Sequence, residues 1–183
     1  PPDGVYISPD EFHRYAAMGI ILDDPVHIPL VGSTVRTPLG DDERETFDSV
    51  FEAVEIGLGV GPVTLTGPVE VVTQGRLLSA AGTFDTEIVS MSLSGALTTG
   101  PILIREDPIR ASTGRTTITD LGGGLYHIDS FFDVFTELSV DGGASWIASD
   151  TSTRMTMKED EPVTGGVDAA VPDLPPAGVY VSP

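Results

Sequence analysis

Between Thr46 and Met157 the sequence breaks, roughly every 8 to 12 residues, into short runs of β-branched and aromatic residues set apart by Gly and Pro. No strand-helix alternation is visible along this stretch. A chain punctuated in this way folds as antiparallel sheets whose turns sit at the punctuation marks. Val63-Thr-Leu-Thr and Val69-Glu-Val-Val-Thr flank Gly67-Pro68, and Gly82 to Leu93 carries Phe84, Ile88, Val89, Met91 and Leu93. Thr116-Thr-Ile-Thr, Leu125 to Ile128 and Phe131 to Val140 continue the pattern, and Arg154 to Met157 is the last core-like run. Phe131, Phe132 and Phe135 read as core or inter-sheet packing. The expected fold is mainly β: an antiparallel β-sandwich, Ig-like or jelly-roll-like.

One helix is expected, at the N-terminal end. Ser8-Pro9-Asp10-Glu11 has the form of an N-cap, a proline at the first helical position and a capping-box glutamate. The helix runs from Pro9 to about Met18, with Phe12, Tyr15 and Ala16 on one face and Gly19 as its stop. Ile20 to Leu22 reads as a short strand, and Asp23 to Gly40 as irregular connection.

The chain opens with PPDGVYISP, residues 1–9, and closes with PPAGVYVSP, residues 175–183. Seven of the nine positions are identical. The core Gly-Val-Tyr-Ile-Ser is β-prone, with Val and Ile on one face and Tyr on the other. A near-copy of a segment that occupies a slot in its own domain fits the same kind of slot, and one domain offers that slot once. The second copy is therefore assigned to a neighbour, by tandem repetition of a 174-residue unit or by strand addition between chains. On the tandem reading, residues beyond Pro183 would resemble Asp10-Glu11-Phe12. The interface residues are Val5, Tyr6 and Ile7 with their echoes Val179, Tyr180 and Val181. Residues 1–9 are a linking segment, 10–158 the domain, 159–174 a Pro/Gly/acidic linker and 175–183 the start of the next unit.

A net charge of −19 makes nucleic acid and anionic lipid poor partners. No apolar stretch approaches the roughly 20 residues of a membrane-spanning helix. The absence of Cys excludes a disulfide framework and Cys-ligated metals, and the absence of Asn excludes N-linked glycans. The three histidines, His13, His27 and His127, lack zinc-site spacing. Asp23-Asp24, Asp41-Asp42-Glu43 and Glu106-Asp107 are carboxylate clusters of the kind calcium favours. No D-x-D-x-D-G loop accompanies them, so calcium rests on composition and no cofactor is expected. Gly122-Gly123-Gly124 lacks the residues of a phosphate loop and reads as a hairpin. No nucleophile elbow is present, and no catalytic residue is assigned.

Two resemblances add to this reading. Ser139-Val-Asp141-Gly-Gly143-Ala-Ser145-Trp146 resembles the Asp-box of sialidases and other β-propeller proteins. That resemblance implies a hairpin turn in which the Asp caps backbone N–H groups and the Trp packs beneath, in the core. The stretches Gly82 to Gly95 and Ser112 to Trp146 resemble segments of exported proteins of environmental bacteria, some with a PEP-CTERM sorting tail. This implies export and placement at the surface or in a matrix. The expectation is a structural subunit of an extracellular filament or surface array that associates with itself. The alternative is an extracellular carbohydrate-binding or adhesion module, with glycans as partners.

Overall fold

The structure is a computed structural model that describes residues 5–8, 12–30, 32–123 and 125–158. Thirteen strands form one continuous sheet. They are β1 (Tyr6–Ile7), β2 (Phe12–Tyr15), β3 (Ile20–Pro29), β4 (Val35–Leu39), β5 (Asp42–Ile56), β6 (Gly61–Thr73) and β7 (Gly82–Leu97). There follow β8 (Gly100–Glu106), β9 (Ser112–Gly122), β10 (Leu125–Val134), β11 (Thr136–Ser139), β12 (Ile147–Ala148) and β13 (Thr153–Met157). The order β7-β6-β5-β3-β1-β13-β10-β9 returns to β7 through the β7–β9 pairing, so the sheet closes into an eight-stranded antiparallel barrel. The remaining strands extend its walls. β2 continues β1 along β3, and β4 continues β3 along β5. β8 continues β9 along β7, β11 continues β10 along β8, and β12 continues β13 along β11. Three staves of the barrel are thus unbroken, and the other five are each built from two strands.

The sandwich expectation is corrected: β1 fills the space between β3 and β13, and β9 returns to β7, so two opposed sheets with free edges never form. Inward–outward alternation is common to sandwiches and barrels. What separates them is the pairing of the first strand with the last, which no local pattern encodes.

The expected N-terminal helix is also absent. Phe12–Tyr15 is strand β2, followed by a single 3-10 turn at Ala16–Met18. His13 and Tyr15 alternate inward from Phe12 and Arg14, and the run pairs with Ile20–Asp23. The Ser8 hydroxyl does not cap a helix; it donates to the Arg154 carbonyl at 2.6 Å. Packing of Tyr15 into the barrel, where it is fully buried, outweighs the local capping preference. The stretch expected to be irregular holds most of β3 and all of β4. A bulge at Asp23 to Val26, with Asp24 at φ 49°, lets β3 pass this region without losing its partner β5.

The barrel interior is filled. Tyr6, Tyr15, Phe47, Phe51, Leu65 and Phe132 belong to one buried cluster that runs through it, and Phe84, Ile118 and Tyr126 form a second. Strand β5 shows why the interior is not uniformly apolar. Its inward positions read Glu43, Glu45, Phe47, Ser49, Phe51, Ala53 and Glu55, apolar in the middle and acidic at both ends. Neighbouring staves pass very close at Gly67 and Gly114, where a Cβ would collide with the Ser92 and Phe131 carbonyl oxygens.

At the breaks in the staves, side chains take over from the ladder. The Phe135 N–H donates to the Ser112 hydroxyl at 2.8 Å, and the Ser112 N–H to the Glu106 carboxylate at 3.1 Å. The Thr153 hydroxyl donates to the Phe12 carbonyl at 3.0 Å, and the Thr136 N–H to the Ser149 hydroxyl at 3.3 Å. Buried backbone groups need partners, and short polar side chains supply them where strands interrupt.

Candidate assembly site: the closing strand

Strand β1 is two residues long, yet the barrel closes through it. Tyr6 stands opposite Met157 on one side and His27 on the other, and Ile7 opposite Thr156 and Val26. The flanking bonds hold both margins. The Lys158 N–H donates to the Val5 carbonyl at 2.8 Å, and the Ser8 N–H to the Pro25 carbonyl at 3.2 Å. Tyr6 is 3% exposed, and its ring meets Phe132 edge-on at 5.9 Å. Ser8 is buried, whereas Val5 and Ile7 are half-buried.

This distribution refines the expectation that set Val5, Tyr6 and Ile7 on an equal footing. The alternation gives the deep position to the tyrosine, and the aliphatic pair flanks it nearer the surface. Ser8, assigned no part in the interface from sequence, is the second inward anchor. An aromatic and a small hydroxyl residue two apart was the available signal. Val179, Tyr180 and Val181, and the linker 159–174, lie outside the described residues.

Beneath the closing strand lies a belt of buried polar groups. His13 and His27 both reach Phe51, with ring centroids 5.9 and 6.1 Å away. His13 Nδ1 lies 3.4 Å from the Thr136 hydroxyl, which also hydrogen-bonds the Tyr15 hydroxyl at 2.7 Å. Burial pushes His13 down to about 3, helped by the proximity of His27, and burial alone pushes His27 down to about 4. Burial likewise raises the Tyr15 phenol. Both histidines are neutral structural groups at ordinary pH. His127 sits near the surface, 3.1 Å from Asp129.

The carboxylate clusters do not converge. Among the described residues, no three His, Asp or Glu side chains are placed to hold a metal ion. Glu45 is paired with Arg36 at 2.9 Å. Burial, and then the neighbouring Glu45, raise Glu43 above the usual carboxylate range. Asp107 is held low against a burial effect that pushes the other way: it accepts from the Ile109 and Arg110 N–H groups and from the Arg110 guanidinium.

Where β8 and β9 part along β7, a cleft of about 370 Å³ opens, lined by Glu87, Arg105, Glu106 and Asp107 among others. Burial lifts Glu106 to about 7, so this carboxyl holds or releases a proton near neutrality.

The hairpin 139–146 is held by its own side chains. Asp141 accepts from the Ser139 hydroxyl at 2.7 Å and from the Ser145 N–H at 3.0 Å. Hydrogen bonds from the Ser145 hydroxyl first, then from the Ser145 N–H and the Ser139 hydroxyl, depress its pKa strongly. Trp146 is not in the core. It donates from Nε1 to the Gly143 carbonyl at 3.1 Å and lies under the Arg105 guanidinium, 4.1 Å from the ring centroid. Phe131 and Phe135 are similarly covered by Arg154 and Arg110, so only Phe132 of that trio is core. Comparison with protein-family models, with curated proteins and with solved structures returned no match for this chain.

Proposed function

We propose that the chain is a structural unit of an extracellular filament or surface array, joined head to tail with like units through its repeated segment. The observation that carries this reading is the closing strand. Residues 5–8 occupy the one place where β3 and β13 meet, and the barrel they complete has no second such place. A second copy of the same words at residues 175–183 is surplus to its own barrel.

The surface charge fits an exported, hydrated role. Seven of the arginines are engaged in ion pairs: Arg14, Arg36, Arg44, Arg105, Arg110, Arg115 and Arg154. Nine basic residues against 28 acidic ones leave a net charge of −19, so the outer face repels polyanions. No helix among the described residues is long and apolar enough to cross a membrane. The alternative of a glycan-binding module requires a platform of exposed rings. Among the described residues, Phe12 is the one exposed aromatic side chain.

The test is a fusion of two units that overlap at the repeat, residues 1–174 followed by 1–183, compared with the single chain by calorimetry and electron microscopy. The expected result is two closed barrels per fusion, with the midpoint of unfolding unchanged and the enthalpy doubled. A fusion that aggregates, beside a single chain that stays one lone particle at every concentration, overturns the proposal.

A further inference from the structure

We infer that the berth between β3 and β13 takes residues 179–182 of a neighbouring unit in the register its own residues 5–8 now hold. The inference rests on the assembly reading and deepens it by naming the docking surface, its occupant and the pairing. Tyr180 takes the place of Tyr6, opposite Met157 and His27. Val181 replaces Ile7, opposite Thr156 and Val26, and Ser182 replaces Ser8 on the Arg154 and Pro25 carbonyls.

Three observations favour this occupant over an unrelated strand. The inward positions Tyr and Ser are identical in the two copies, so the ring that packs on Phe132 and the hydroxyl that bonds Arg154 are both preserved. The one difference within residues 5–8, Ile7 against Val181, falls at a half-buried position that tolerates one methylene less. The resident strand is only two residues long, and β1 and β2 are separate strands. Releasing it breaks two short ladders and leaves β3 paired to β5 and β13 paired to β10. A neighbour's copy restores the same bonds and the same buried ring, so exchange is close to balanced.

The chain has no cysteine, which makes cross-linking unambiguous. Thr156→Cys with Val181→Cys places two thiols at opposite positions of the inferred antiparallel pair, a separation that a disulfide spans. The full chain carrying both is oxidised at a series of concentrations and run on a non-reducing gel, with light scattering on the unoxidised sample. The expected result is a ladder of linked chains, which Tyr180→Asp in the same background reduces more than about tenfold by removing the anchor. Adding Tyr6→Asp evicts the resident strand, so the ladder is expected to grow while the barrel stays folded.

Linked monomers without a ladder place the second copy in its own barrel and overturn the inference. So does the absence of any link, or a Tyr6→Asp chain that cannot fold. If links are absent while light scattering still reports assemblies, the assembly reading survives with a different joint. If both are absent, the assembly reading loses its support as well.

Discussion

The two sides of the barrel are built differently. On one side β5, β6 and β7 run unbroken for 15, 13 and 16 residues and are paired along nearly their whole length. On the other, each stave is two shorter strands, and the seams are filled with Ser8, His13, Glu106, Ser112, Thr136, Ser149 and Thr153, all polar. The long wall is held by backbone ladders and apolar contact. The seamed wall depends on individual side chains: Ser8, Glu106, Ser112, Ser149 and Thr153 bond backbone groups, and His13 and Thr136 join side chain to side chain. The first is expected to open only with global unfolding and the second in smaller steps.

Removing the ring that ties the two walls together has the largest expected effect. Phe51 is inward on β5 and touches the buried His13 and the half-buried His27. Phe51→Ala is expected to cost about 3 to 5 kcal/mol of global stability by denaturant titration. A loss under 1 kcal/mol would mean that the walls are not mechanically coupled there.

Acid comes next. The pKa values of His13 and His27 are lowered, to about 3 and about 4, so the unfolded chain takes up protons near pH 6.5 while the folded chain refuses them. Their contribution is complete above pH 6.5 and falls as the pH drops. Between pH 6.5 and 5 each histidine is expected to remove about 2 kcal/mol. Denaturant titrations across that window, with His27→Leu expected to halve the slope, measure it.

At the seam itself, Ser112→Ala leaves the Phe135 N–H without its acceptor. About 1 to 2 kcal/mol is expected to be lost. Hydrogen exchange is expected to accelerate at β9, β10 and β11 well before β5 and β6; uniform acceleration would erase the distinction between the walls.

Glu106 works in the opposite direction to the histidines. Its pKa is raised to about 7, so its contribution is complete below the ordinary carboxylate range and is lost as the pH rises through 7. Glu106→Gln is expected to gain about 1 kcal/mol at pH 8, allowing for its partial exposure. Together these groups set a stability maximum near pH 7.

The smallest effect is local. Asp141→Ala removes the acceptor that organises the hairpin, while Trp146 is the only tryptophan. A red shift of its fluorescence with an unchanged unfolding midpoint is the expected signature.

What could be read in the sequence follows the same division. The β character of residues 46–157 was legible because alternation and Gly/Pro punctuation are local signals. The closed barrel was not, since it depends on Tyr6 meeting Met157 across the length of the domain. The false helix at Pro9 to Met18 arose at a seam, where Ser8 satisfies a distant carbonyl in place of its own turn. The repetition itself was legible, but not which of residues 5–8 goes deepest. That needed the face on which Tyr6 sits, fixed by its pairing with His27 and Met157.

The bond between Val5 and Lys158 has one more consequence. Val5 and Lys158 stand side by side at one rim, on adjacent antiparallel strands. In any string of such barrels, tension therefore acts at one corner and peels β1 from β13 one rung at a time, instead of shearing all the rungs together. Each barrel would hang from the string as a bead that yields early and recloses, giving a compliant thread in place of a stiff rod.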